Sequence, residues 1–173
     1  GSAGHEFRVL DEDNKACVQA TLWLSGNEYK AGKDGLIVVP FSNRPGRQTM
    51  VLRNGGFSAL ASFVHQSETY SLDAGIYVDR EALVTGALAQ LIVRPVLRLN
   101  GNPISLKVLE DMRMAILSTG RDGVPTMLEL PVGETKDGEA FIHEFTVPDK
   151  LAQLQFTLKA RVENLAAGNK QDL

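Results

Sequence analysis

The stretch Ala74-Gly75-Ile76-Tyr77-Val78-Asp79-Arg80-Glu81-Ala82-Leu83-Val84-Thr85-Gly86-Ala87-Leu88-Ala89-Gln90 decides how the fold is read. An apolar β-like run gives way to a short Asp79-Arg80 link and to Gly86, and a second run then carries on through residues 91–99. Such punctuation between two β-like segments reads as the seam between two β-sandwich modules. A helix over residues 80–91 is the alternative, since Ala and Leu favour helices, but Thr85-Gly86 interrupts it. With the seam here, the first module is expected at residues 7–73 and the second at 74–165. Residues 1–6 read as a cloning scar or linker, and 166–173 as a linker to the rest of a longer parent protein.

Upstream of the seam, Val18, Ala20, Leu22 and Leu24 alternate with Gln19, Thr21 and Trp23, the period of two of a half-buried strand. Lys33-Asp34-Gly35, Arg44-Pro45-Gly46 and Asn54-Gly55-Gly56 are turn signals, because Gly, Asp and Asn supply backbone conformations that tight hairpins need. They separate expected strands at 36–41, 49–53, 57–64 and 69–72. Downstream, residues 89–93 and 96–99 flank Arg94-Pro95, which predicts an edge strand or a bulge. Asn100-Gly101, Asp122-Gly123 and Asp137-Gly138 then divide strands expected at 104–109, 112–118, 126–130, 141–147 and 154–162. A short helical turn fits 148–153. Strands at this spacing give an all-β chain of two consecutive antiparallel, immunoglobulin-like β-sandwich modules.

The 173 residues suffice for one large or two small cores. A net charge of -3, with the basic residues scattered singly, removes the electrostatic case for nucleic acid. No stretch approaches the ~20 consecutive apolar residues of a membrane-spanning helix. Cys17 is the only cysteine, so no disulfide forms within the chain, and its alternating apolar surroundings mark it as a small packed residue rather than a reactive thiol.

Two family resemblances rest on these residues. Val9, Asp11-Glu12-Asp13-Asn14, Lys15, Ala20, Leu22, Leu24, Lys33-Asp34-Gly35-Leu36 and Gly56-Phe57 give the first module a likeness to carboxypeptidase-regulatory-like or prealbumin-like sandwiches. It departs from them in having Asn14 for the usual Gly and Ala16 for the usual Pro. The second module resembles a macroglobulin-type domain of the alpha-2-macroglobulin family. The matching residues are Ile76-Tyr77-Val78-Asp79-Arg80, Gly86, Ala89, Val93-Arg94, Asn100-Gly101, Ser118-Thr119, Asp122-Gly123, Phe145, Val147-Pro148, Leu154, Leu158 and Ala160. Asp79-Arg80 stands for the usual Asp-Lys, and Thr85-Gly86 for the usual Pro-Gly. The family's Cys-Gly-Glu-Gln thioester is absent from the sequence. The resemblance implies a piece of a large secreted or surface protein that does not itself trap a protease covalently.

Residue chemistry points away from catalysis. There is no Gly-x-Ser-x-Gly elbow and no phosphate-cradling loop. His65 and His143 stand isolated in the sequence, and His5 falls in the expected scar. His143-Glu144 would project to opposite strand faces, which is poor ligand geometry. The turn Asp11-Glu12-Asp13-Asn14 lacks the spacing of a calcium loop and reads as a solvated turn. Glu110-Asp111 and Asp79-Glu81 are adjacent carboxylates, without a sign that they converge on a cleft. No cofactor and no metal are expected. Trp23 and Tyr29 are the candidate ligand-binding residues, as an exposed aromatic pair can stack on a sugar or anchor a protein. The expected role is therefore a non-enzymatic structural or interaction fragment of an extracellular or cell-surface protein. Its partners would be other domains of the parent chain and a protein or glycan ligand. An adhesin module or an accessory domain of a secreted hydrolase are the alternatives.

Overall fold

The computed structural model describes residues 4–173, so the first three residues of the expected scar lie outside it. The chain is all-β and antiparallel, and among the described residues its one helical element is a 3-10 turn at Leu106–Val108. It divides into two compact units, Gly1–Glu68 with Leu165–Ala167 and Thr69–Asn164 with Gly168–Leu173.

The first unit holds β1 (His5–Arg8), β2 (Thr21–Leu24), β3 (Asn27–Lys30), β4 (Leu36–Val39), β5 (Gly46–Asn54) and β6 (Phe57–His65). β1 and β4 pair as a two-stranded sheet, and the other four run in the order β3-β2-β5-β6. Ala20, Leu22, Leu24, Ile37, Val39 and Met50 form the core. Alternation decides which of these point inward: Leu22 and Leu24 are buried while Trp23 between them is not. The turn chemistry read from the sequence operates as expected, with Asp34 Oδ1 accepting the Leu36 amide at 3.1 Å.

The second unit holds β7 (Tyr70–Val78), β8 (Leu88–Leu99), β9 (Asn102–Ile104), β10 (Leu109–Gly120), β11 (Pro125–Pro131), β12 (Phe141–Thr146), β13 (Leu151–Asn164) and β14 (Asn169–Asp172). One sheet runs β12-β8-β7 with β9 also on β8, and the other runs β11-β10-β13-β14. Ala89, Leu91, Val93, Met114, Ile116, Phe145 and Val147 form their shared core.

Four sequence expectations are corrected. The stretch 74–90 is not a seam. Residues 70–78 pair with 91–99, which puts β7 in the second unit and moves the boundary to 68/69. Residues 80–87 form turns, in keeping with the interruption at Thr85-Gly86 that argued against the alternative helix. β8 is neither an edge strand nor a bulged one: Ala74 faces Pro95 on one side, and on the other Pro95 falls between the last β12 pair, at Val93, and the first β9 pair, at Leu97. No neighbour on that side requires the N–H that proline lacks. Finally, His5 and Glu6 belong to β1 rather than a scar, and residues 169–172 are no linker but β14, paired with Arg161–Asn164 of β13.

Candidate functional site

The outward face of the β3-β2-β5-β6 sheet carries three of the exposed apolar and aromatic side chains of the first unit, Trp23, Leu60 and Val64. In the β2–β3 hairpin Leu22 lies opposite Tyr29 and Trp23 opposite Glu28. Tyr29 therefore shares the inward face of Leu22 and packs on the core, whereas Trp23 faces out and is 38% exposed. The structure does not bring the two candidate ligand-binding residues together. Trp23 instead meets the Arg53 guanidinium carbon 5.9 Å from its ring centroid, a cation–π contact. Val51 lies opposite Trp23, and Leu60 opposite Val51, making an apolar row across three strands. Leu60 and Val64 are 77% and 64% exposed. Arg47 and Arg53 are the charged residues of β5, β6 has none, and neither strand carries a carboxylate. Arg47 leans towards the rim of the sheet, donating to Ser62 Oγ at 3.1 Å.

That rim is β6, paired to β5 alone and without a register shift from Asn54–Phe57 to Gly46–His65. Gly55, at φ 58°, is the first residue of the two-residue turn that joins them, a position where glycine is favoured. A two-residue turn closes on a hydrogen-bonded pair, after which bonded and non-bonded pairs alternate. Phe57, Ala59, Ala61, Phe63 and His65 thus bond to β5. Ser58, Leu60, Ser62 and Val64 turn their N–H and C=O groups to the open edge. At the turn end of this strand lies an open groove of about 370 Å³, lined by Val9, Leu10, Cys17, Leu52, Phe57 and Ala59 and also by Asp11, Glu12, Arg53 and Asn54.

The far end of the same unit carries a cluster that the sequence did not disclose. His5 and His65, isolated in the sequence, have ring centroids 5.4 Å apart, and the His5 ring also meets Phe41 at 5.3 Å and Phe63 at 5.2 Å. His5 Nε2 accepts the Gln66 amide at 3.0 Å, and His65 Nε2 donates to the Pro40 carbonyl at 2.8 Å. Burial, and after it the neighbouring His65, hold the His5 pKa below its ordinary value. A depressed folded pKa means that the unfolded chain takes up the proton first. The contribution of His5 is then fully present above about pH 6.5 and is lost as pH falls below it. Melting of the first unit, followed by Trp23 fluorescence, should accordingly shift to lower temperature as pH drops from 7 towards 5, and His5→Gln should flatten that slope.

The other candidates have structural employment. Asp11 Oδ1 accepts the amides of Asp13 and Lys15 at 3.0 and 2.8 Å, closing its own turn. Asp79 Oδ1 does likewise for Glu81 at 3.0 Å, and Asp111 binds Arg113 Nε at 2.9 Å. Glu144 accepts from Gln90 across the outer face of β8 and β12, while His143 faces the other way, beside Phe141 and Phe145. Cys17 is half-buried against the first core.

Residues 79–173, almost the whole second sandwich, match the family described as AbpF third immunoglobulin-like domain. The chain belongs to this family. The chain is also 28% identical over 176 residues to actin-binding protein F of Dictyostelium discoideum. That alignment covers 98% of the chain, including the first unit, and 7% of the relative. The narrower likenesses to macroglobulin-type and prealbumin-like domains find no counterpart in these matches; what they share with the immunoglobulin-like family is the antiparallel sandwich. The expected extracellular or cell-surface setting is corrected. A relative named for binding actin, a filament protein of the cell interior, points away from it.

Proposed function

We propose that the chain is a non-catalytic, immunoglobulin-like protein-interaction segment of a larger actin-associated protein. The observation that carries this reading is the alignment of 98% of the chain along 7% of a protein named for binding actin. The side chains support it: the carboxylates and histidines described above are engaged in turns, ion pairs and ring packing rather than converging on a reactive centre. Its partners are other domains of the parent chain and a protein that meets the outward face of the first unit, where Trp23 is the proposed contact. A sugar-stacking role loses its basis, because Tyr29 lies on the opposite face of the sheet from Trp23.

Filamentous actin is the partner to test, by co-sedimentation of the intact chain. The expected result is saturable pelleting with a Kd of about 10 µM. A chain that stays in the supernatant at several times that concentration of actin overturns the reading.

A further inference from the structure

The site of protein binding can be narrowed by asking which strand edge is open to another chain. Proteins protect sheet edges with charge, proline, bulges or brevity. Most edges here are so protected. β3 has four residues and carries Glu28 and Lys30, and β14 has four with Lys170 and Asp172. β11 is bounded by Pro125 and Pro131 and carries Glu129, β12 carries Glu144, and β7 is interrupted by Asp73. β6 differs from all of these: it is nine residues long, has no charge and no proline, and its register is unbroken.

We propose that β6 is a docking edge for an extended segment of a protein partner, acidic on one face and apolar on the other. The inference rests on the reading of the chain as an interaction segment and names its site. The backbone groups of Ser58, Leu60, Ser62 and Val64 supply the ladder for an added strand. Side chains alternate along such a strand. Those on its inner side meet the apolar groove of Leu52, Phe57 and Ala59 beside the β5–β6 turn. Those on its outer side come within reach of Arg47, a cation with no carboxylate on β5 or β6 to neutralise it, whereas Arg53 is turned the other way, onto Trp23 of β2. Charge complementarity thus selects carboxylates for the outer positions, and Arg47, already leaning over Ser62, lies towards the edge they would occupy.

The probe is a blocked nine-residue peptide alternating Glu with Val or Phe, compared with its Lys-for-Glu counterpart, titrated into the intact chain. The Glu peptide should bind at least ~10-fold more tightly than the Lys peptide, and should protect the amides of residues 58, 60, 62 and 64 from exchange. Leu60→Glu puts a like charge on the face that the partner's carboxylates would meet, and Ser62→Pro removes an outward N–H without touching the β5 ladder; each should weaken binding of the Glu peptide ~10-fold or more. Melting curves establish that the variants are folded, and either folded variant suffices. Equal affinity of the two peptides, absence of binding, or binding unchanged in a folded variant overturns the proposal. So does concentration-dependent dimerisation abolished by Leu60→Glu, which would make the occupant a second copy of the chain. Actin pelleting that persists when the peptide result is negative leaves the broader reading standing. Loss of both sinks both.

Discussion

Leu91→Ala should destabilise the second unit by about 3 kcal/mol, with a fall in its Tm on the order of 15 °C. Leu91 is fully buried among Ala89, Val93, Met114, Ile116 and Phe145, at a point where β8 is flanked by both β7 and β12. Strands held from two sides cannot close over a vacated volume, so the cavity term adds to the lost transfer energy. The volume-conserving Leu91→Met should cost less than about 1.5 kcal/mol. Trp23 is the chain's single tryptophan and belongs to the first unit, whose core is a separate set of residues. Far-UV circular dichroism should therefore show the early transition while Trp23 fluorescence does not. A loss below about 1 kcal/mol would mean that the β8 core is looser than its burial implies.

Gly4→Ala should destabilise the first unit by about 2 kcal/mol, a large effect for one methyl group. Gly4 has φ 147°, a conformation that residues with a Cβ rarely adopt. An added Cβ would also overlap the Val39 carbonyl oxygen and lie 2.8 Å from its carbon and 2.9 Å from Pro40 Cα. All three obstacles are backbone atoms at the end of β4, the strand that β1 must pair with, and of the proline that follows it, so nothing can swing aside. Relief requires β1 to pull away, taking His5 from Phe41, Phe63 and His65. Gly56→Ala is the control, since nothing lies within 4 Å of its added Cβ and its φ is not positive; it should be nearly neutral. Equal melting temperatures for the two variants would show that β1 contributes little to the first unit.

Period-two alternation made much of this fold legible. It put Leu22 and Leu24 inside and Trp23 outside, and it located most strands to within a few residues. Where alternation has nothing to act on, legibility ends. β14 is Asn-Lys-Gln-Asp, with no apolar face, and is a strand because β13 offers it a partner. Tyr29 was misplaced because the Ser25-Gly26 turn reflects the face pattern back through the hairpin, setting Tyr29 opposite Leu22. The unit boundary was misplaced because a Gly-containing connection inside a sandwich looks the same in sequence as one between two sandwiches. The pairing of residues 70–78 with 91–99 is what separates the cases. The candidate site was less legible still. His5 and His65 are 60 positions apart, and the open edge of β6 depends on which strands do not lie beside it.

The placement of β8 has a consequence for how the second unit opens. β8 is bonded along one flank by β7 and along the other by β12 and β9, whereas β11 and β14 each hang from a single neighbour. Fraying of those outer strands releases their own amides and leaves β8 covered. Amides of residues 91 and 93 turn to β12 and that of residue 92 to β7, so no single fraying event frees all three. Their partners lie about 15 and 50 positions away in sequence, so reclosure must bring distant segments back together and is correspondingly slow. Slowly exchanging hydrogens of this unit therefore sit on a strand interrupted by a proline, a residue with no hydrogen to exchange.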